Sequence, residues 1–208
     1  MDTVMNFDQT PNSQSVPLGF EVLFPEEHKL LKENSFRGDL MAAIGRQDDS
    51  PMMDLVNKEW YAIVGGDFAS TEKYRMMKLA LPLTGSAQQF TQVQNDNFRD
   101  FFRSDHYSFW STTTSDATGL KAVFLTDTAD FRGSMQECYH EACDNVTTIT
   151  DDKLEFLSVT AEAILRATTI LSTENSNAQC LGNMISRSKG IALVPTGLIF
   201  TSIFVILI

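Results

Sequence analysis

Short apolar runs closed by turn-forming residues mark the strands of this chain. Residues 40–44 form one such run, ended by Gly45, which predicts a buried strand. Residues 76–83 and 121–126 are also short and mainly apolar, and they predict two further strands. Between these two, residues 84–118 are rich in polar side chains and predict a long surface loop anchored by aromatic residues.

Two other segments show helical periodicity. Pro51 directly after Ser50 is typical of a helix start, and Asp152 with Glu155 three residues later is an N-cap signature. Because strands alternate with helices, the pattern predicts an α/β domain with a mostly parallel central sheet. The apolar positions at helical spacing are Met53, Val56 and Trp60 in the first segment and Leu154, Leu157, Ala161, Ile164, Leu165, Thr168 and Leu171 in the second.

The carboxyl end of the chain is apolar and uncharged from residue 190 to residue 208. As a helix, its last 18 residues would extend about 27 Å, close to the ~30 Å of a bilayer's hydrocarbon core. Small residues around Ser176, a polar spacer and this apolar end form the pattern of a GPI-anchor signal, with Ser176 as the candidate attachment residue. A transmembrane anchor flanked by Arg187 and Lys189, or a buried core helix, are the alternatives. The predicted divisions are a domain at 1–172, a polar spacer at 173–189 and a hydrophobic tail at 190–208.

The charge balance narrows the class of partner. The chain has 27 acidic and 16 basic side chains, for a net charge of −11 and an isoelectric point near 4.6. Nucleic-acid binding needs clustered lysine and arginine, and no run of more than two basic residues occurs. We therefore exclude nucleic acid as a partner.

Residue types capable of chemistry concentrate in two windows, 103–110 and 127–144. The second window directly follows the clearest predicted strand, and the loop after a parallel strand's carboxyl end is where α/β proteins commonly bind ligands. Within it, His140 stands between Cys138 and Cys143. Two interpretations remain open: a metal ligand held by a disulfide, or a structural histidine on a loop beside buried thiols.

Two further features lie in or beside these windows. Asp105 and His106 form either an acid–base pair or a hydrogen-bonded loop anchor. Asn145 begins an Asn-Val-Thr glycosylation sequon, which matters only in a secreted protein.

The motifs of both windows resemble the carboxyl-terminal half of the M28 family of zinc peptidases. The matching segments are "RSDHYSFW", "GLKAVFLTDTADFR" and "CYHEACD", followed by "TTITDDKLEFLSVTAEAIL". Their order and spacing match the family's Ser-Asp-His-x-x-Phe loop, its strand into Asp-Thr-x-x-Phe-Arg, and its Tyr-His element. Residues 1–14 and the segment "RGDLMAAIGR" are similar to earlier family strands and a Pro-x-Ser-Gln loop, so the resemblance covers about residues 1–172.

The resemblance implies a three-layer sandwich around a mostly parallel sheet, incomplete at its amino terminus, and zinc as the cofactor. His140 falls on the family's last zinc ligand, and Asp2 falls on the acidic ligand of the other zinc ion. Tyr139 matches a tyrosine that polarises the scissile carbonyl or stabilises the oxyanion.

Four further positions of the chain also match the family's pattern. Cys138 and Cys143 match a disulfide of secreted members, and Asp105 and Asp127 match residues that support the metal site or shape its loops.

The family's His-x-Asp element, bridging Asp and Glu-Glu pair have no counterpart in this chain. We therefore expect the chain alone to bind zinc weakly and to leave peptides intact. The intact parent is expected to be a membrane-anchored aminopeptidase that acts on peptides at the extracellular or lumenal face. The alternatives are a non-catalytic membrane-tethered binding domain with a peptidase-like fold, and a glutaminyl-cyclase-like acyltransferase.

Overall fold

A mixed sheet forms the centre of the described part of the molecule. The computed structural model describes residues 3–112 and 118–188, with side chains up to residue 173. Its strands are β1 (Leu40–Arg46), β2 (Arg75–Leu81) and β3 (Phe124–Thr126), in the order β2-β1-β3. β1 is parallel to β2 and antiparallel to β3. The predicted α/β class is confirmed, and the sheet is only partly parallel.

Helices precede, separate and follow the strands. In the described residues the α-helices are α1 (Phe20–Leu23), α2 (Pro25–Glu33), α3 (Ser50–Val64), α4 (Gln92–Asn97), α5 (His106–Trp110), α6 (Met135–Cys138) and α7 (Asp151–Ser188). α3 begins where the Ser-Pro pair predicts, because proline needs no backbone partner in a helix's first turn. α7 continues through most of the spacer predicted at 173–189.

Membrane attachment was predicted for the tail at 190–208, which lies outside the described residues. Among the helices that the structure does describe, none is long and apolar enough to cross a bilayer.

α3 and α7 pack on one face of the sheet. Trp60 of α3 is completely buried there, and its indole N–H donates to the carbonyl of Tyr74 at 2.6 Å. The polar atom of this large side chain is therefore satisfied inside the core. The core on this side contains Met41, Ala43, Met76 and Leu125 from the strands and Trp60, Phe156 and Ile164 from the helices.

The face that α7 buries differs from the predicted one. Leu154 and Leu165 are 49% and 67% exposed, and of the seven predicted positions only Ile164 is buried. Phe156 decides the orientation, because its ring lies 5.6 Å from that of Phe7 and 5.8 Å from that of Trp60. Because this large aromatic ring is buried, the row of apolar positions that was predicted to face the core turns partly toward solvent.

The other face of the sheet is covered by α1, α2 and the long connection between β2 and β3. Aromatic side chains of that connection are buried against the sheet, as predicted for residues 84–118. The connection is more regular than predicted, since it contains α4 and α5. The buried residues on this side include Phe20, Phe24, Leu31, Ala42, Ile44, Leu79, Phe98, Phe101 and Trp110.

Arg46 closes β1 and holds this connection in place. Its buried guanidinium forms two bonds to Asp49, with Nε–Oδ2 at 2.8 Å and Nη2–Oδ1 at 3.0 Å. It also donates to the carbonyls of Thr118 at 2.8 Å and Leu120 at 3.0 Å. The ring of Trp110 lies 5.2 Å from the guanidinium carbon, which adds a cation–π contact.

β3 is shorter than the strand predicted at 121–126. The Ala122 N–H donates to Asp49 at 3.2 Å, and its carbonyl accepts the Trp110 indole N–H at 3.1 Å. Both backbone groups of Ala122 bond to side chains and not to β1, so the pairing of β3 with β1 begins only at Phe124.

Replacing Arg46 with methionine tests whether its contacts hold the connection between β2 and β3 in place. Arg46→Met leaves Asp49 as an unpaired buried carboxylate, and removing one partner of a buried pair costs about 3–5 kcal/mol. We expect the free energy of unfolding in urea to fall by about that amount. Arg166→Met, which breaks the exposed pair with Glu162, is the control and should change it by less than about 0.5 kcal/mol. Equal effects of the two variants would contradict the assigned role.

Candidate functional site

The window at 127–144 follows β3 and lies beside the start of β1. Because β3 runs antiparallel to β1, its last residue, Thr126, pairs with Ala42 near the beginning of β1. The expectation that this window follows a parallel strand is therefore wrong. The window nevertheless borders a concave site, which lies over the face of the sheet opposite α3 and α7.

A cavity of about 80 Å³ opens between this window and the sheet. Its walls include the rings of Phe20, Phe101 and Phe131, and its lining is mainly apolar. A cavity of about 150 Å³ accommodates benzene, so this one suits an aliphatic group of about three or four carbon atoms. The strand residues that line it are Leu40, Ala42, Ile44, Met77, Leu79, Phe124 and Thr126.

Polar side chains border the cavity and bring the two windows together. Arg103, from the first window, donates to both carboxylate oxygens of Asp130, from the second, at 3.0 and 3.2 Å. Asp100 and Tyr139 also line the cavity. We call Asp100, Arg103, Asp130 and Tyr139 the rim.

Asp127 lies behind the cavity and shapes the loop after β3. Its Oδ2 accepts the backbone N–H groups of Met5 at 2.9 Å and Asn6 at 2.6 Å, and its Oδ1 accepts that of Ala129 at 3.0 Å. Burial raises the pKa of this carboxyl, and the nearby Arg132 opposes the rise. Both oxygens are bound to backbone donors, so Asp127 joins the amino-terminal segment to the loop.

Arg132 is a structural support of the site that the sequence pattern did not reveal. Its fully buried guanidinium donates to Gln14 Oε1 at 2.9 Å and to the carbonyls of Asn6 at 2.8 Å and Leu40 at 2.6 Å. Burial lowers its pKa to about 10. A Cβ on Gly38 would lie 2.7 Å from its Cγ, so glycine leaves the space that the arginine fills. In the sequence, the only sign of this structural role is that a single arginine follows shortly after a predicted apolar strand.

Cys138 and Cys143 form a disulfide, with their Cα atoms 5.3 Å apart, which confirms the predicted pairing. The loop between them places Tyr139 on the cavity wall and His140 at the surface, with ring centroids 4.0 Å apart. His140 has φ 62°, in the left-handed region that costs a non-glycine residue roughly 1–2 kcal/mol. The short closed loop therefore holds His140 in a conformation that a free chain would disfavour.

The predicted metal ligands are not seen together. Asp2 lies outside the described residues, and His140 is exposed. Within residues 3–112 and 118–188, no three His, Cys, Asp or Glu side chains are grouped as a metal site requires. The structure therefore neither assembles nor tests the predicted zinc site.

Two of the other predicted positions, Asp105 and Asn145, lie at the surface. Asp105 is exposed immediately before α5. Asn145 is exposed, and its Oδ1 accepts the backbone N–H of Thr147 at 3.0 Å and its hydroxyl at 2.7 Å. Ser176 belongs to α7, and its side chain lies outside the described part.

His106 anchors α5 behind the cavity. Its Nε2 lies 2.9 Å from the carbonyl oxygen of Phe101, and its ring stacks on Phe124 at 4.6 Å. The ring also meets the edge of Trp110 at 4.5 Å. Burial lowers the pKa of this imidazole to about 4, so it is neutral at pH 7.

These observations define an α/β protein with an apolar cavity whose rim includes a tyrosine on a disulfide-closed loop. Comparison of the chain with protein-family models, with curated proteins and with solved structures finds no match.

Replacing His106 with phenylalanine tests the buried neutral imidazole. In the unfolded chain a histidine binds a proton below about pH 6.5, whereas the folded His106 stays neutral down to about pH 4. The wild type should therefore lose up to about 3 kcal/mol of stability from this group as the pH falls from 6.5 to 4. His106→Phe should lack that part of the pH dependence in urea unfolding. Identical pH slopes would contradict the buried neutral state.

Proposed function

We propose that this chain is part of a zinc-dependent exopeptidase of the aminopeptidase type, similar to the M28 family. The observation that carries the proposal is the position of Tyr139, which lies beside His140 on a disulfide-closed loop and faces an apolar cavity. The proposed complete domain is a three-layer sandwich, in which the sheet described above belongs to a larger, mostly parallel one.

His140 and Asp2 are the proposed zinc ligands, each for a different ion. The imidazole of His140 is exposed beside Tyr139, which leaves it accessible to a metal. Zinc would supply a Lewis acid that lowers the pKa of a bound water. Because a catalytic zinc needs about three protein ligands, we propose that the remaining ligands and the general base come from residues that this chain does not contain.

The chain's own residues would bind and orient the substrate. Tyr139 would donate its phenol hydroxyl to the oxyanion that develops on the peptide carbonyl. The Cys138–Cys143 disulfide restricts the movement of that phenol relative to the cavity wall. The cavity, with space for about three or four carbon atoms, would hold a substrate side chain and exclude water from it.

The proposed location is the extracellular or lumenal face of a membrane, with attachment through residues 190–208. The disulfide supports an oxidising compartment, since such bonds are rare in the cytosol. The exposed side chain of Asn145 is accessible for the proposed glycosylation.

A tyrosine substitution in the zinc-loaded protein, extended upstream to include the remaining ligands, tests the mechanism. Tyr139→Phe should lower kcat about 10²-fold or more with little change in KM, because the phenol contact strengthens only in the transition state. Tyr107→Phe, which changes a half-buried tyrosine whose ring packs against Phe102 at 4.9 Å and does not line the cavity, is the control and should keep wild-type kcat. Steady-state hydrolysis of aminoacyl nitroanilides measures both.

Three outcomes would contradict the proposal. Aminopeptidase turnover by the purified 208-residue chain would show that the proposed division of ligands is wrong. In-frame upstream sequence that lacks the His-x-Asp, Asp and Glu-Glu elements would favour the non-catalytic binding domain. Release of ammonia from peptides with amino-terminal glutamine, without hydrolysis, would identify the cyclase reaction.

A further inference from the structure

Four of the polar side chains that line the cavity are already bonded to other groups of the protein. Thr126 Oγ1 accepts the backbone N–H of Thr128 at 2.9 Å, and the Thr128 hydroxyl donates to Gln14 Oε1 at 3.1 Å. The hydroxyl of Ser15 donates to the carbonyl of Phe131 at 3.0 Å. Because these groups have partners, a polar atom carried into the cavity would lose its water without an equivalent gain. The interior therefore favours an aliphatic group of the size given above.

The charged side chains of the rim, two carboxylates and one guanidinium, carry one net negative charge. Arg103 Nη1 donates to both carboxylate oxygens of Asp130, at 3.0 and 3.2 Å, so these two charges neutralise each other. Asp100 is half-buried, and within the part of the chain that the structure describes its carboxylate forms no ion pair and accepts no hydrogen bond. Its charge nevertheless reaches the other rim residues. Burial lowers the pKa of Arg103, whereas Asp130, Tyr139 and Asp100 together raise it above its usual value.

The carboxylate of Asp100 determines which sign of charge the rim favours. A cation beside it would be attracted, and because Asp100 is half-buried, water screens this attraction less than at an open surface. An anion would be repelled, and the net charge of the chain, −11, has the same sign as Asp100. A ligand that pairs with Asp100 and also fills the cavity therefore needs a cationic group attached to a short aliphatic chain.

We propose that the cavity is a binding site for a primary alkylammonium group of about three or four carbon atoms. The alkyl chain occupies the cavity, and the ammonium group pairs with Asp100. A free amine and the unblocked amino-terminal residue of a peptide both present this chemistry. Binding of this kind needs neither zinc nor a general base, so it does not depend on the proposed exopeptidase function.

Other classes of ligand satisfy only one of the two features. A short alcohol or alkane fills the cavity but leaves Asp100 without a partner, and a short carboxylate brings a charge that Asp100 repels. A metal cation or the ammonium ion meets Asp100 but leaves the apolar walls uncovered. An aromatic amine is too large, because benzene needs about 150 Å³ and the cavity has about 80 Å³.

A series of small probes tests the proposal on the 208-residue chain without zinc. Isobutylamine, isobutanol and isobutyrate share an isopropyl group and differ in the charge of the polar end, and methylamine has the charge without the isopropyl group. Methyl NMR signals of Ile44 and Met77, which line the cavity, report binding at pH 7 and fixed ionic strength. Signals of Met52 and Met53, in α3 on the opposite face of the sheet, are internal controls.

The expected result is saturable shifts of the Ile44 and Met77 signals with isobutylamine. Isobutanol should bind about threefold or more weakly, as expected for the loss of a partly exposed charge pair, and isobutyrate more weakly still. Methylamine should bind about tenfold or more weakly, because three buried carbon atoms are lost.

Two variants locate the charge that is responsible. Asp100→Asn should remove the preference for isobutylamine over isobutanol while isobutanol binds as before. Asp54→Asn is the matched control, since Asp54 is an exposed carboxylate on α3 that pairs with Lys78 away from the cavity. It should leave the preference for the amine unchanged.

Valinamide, which has the carbon–nitrogen skeleton of isobutylamine and an added carboxamide, distinguishes the two sources of the alkylammonium group. Tighter binding of valinamide assigns the site to the amino-terminal residue of a peptide, and tighter binding of isobutylamine assigns it to a free amine.

The proposal is overturned if isobutylamine causes no saturable shifts, or if isobutanol or isobutyrate binds as tightly. It is also overturned if the preference for the amine survives in Asp100→Asn. Because these measurements need no hydrolysis, failure of this binding and failure of the proposed activity are distinguishable.

Discussion

Arg132 lies completely buried where the amino-terminal segment, the start of β1 and the loop after β3 meet. Removing a guanidinium from water is costly, and here its burial is offset by three acceptors, on Asn6, Gln14 and Leu40, and by the nearby carboxylate of Asp127. Two of the acceptors belong to the amino-terminal segment and the third to β1, so the arginine can be satisfied only when both segments are in place. The position of the loop that carries Asp130 and Tyr139 therefore depends on this one side chain.

A second buried guanidinium, that of Arg46, holds another loop in position at the other end of β1. Arg46 pairs with Asp49 and ties the long connection between β2 and β3 to the end of that strand through the backbone carbonyls of Gly85, Thr118 and Leu120. β1 is the central strand, buried along its whole length, so both arginines act against a rigid element. The two loops that they position meet at the ion pair between Arg103 and Asp130, which forms part of the rim.

The cavity persists because its walls are held by polar contacts that collapse would break. Ala42 places only a methyl group on the central strand between Leu40 and Ile44, which leaves space above the sheet. The segment above that space cannot simply move inward, because Ser15 bonds to the Phe131 carbonyl through its N–H at 2.8 Å and its hydroxyl at 3.0 Å. Moving inward would break both hydrogen bonds, and a buried polar group without a partner costs about 1–3 kcal/mol.

The sequence by itself determined the features that depend on local patterns. It predicted β1, the start of α3, the aromatic anchoring of the 84–118 connection, and the two windows that border the cavity. The pairing of Cys138 with Cys143 came from the family resemblance. Tertiary structure alone decided the direction of β3, the buried face of α7, the burial of two arginines and the existence of the cavity. The physical reason is that these features depend on contacts between distant segments, such as the 2.6 Å bond between Asn6 and Asp127, 121 residues apart in the chain. Periodicity reports which residues can be buried, whereas the partners that bury them become known only when the segments are brought together.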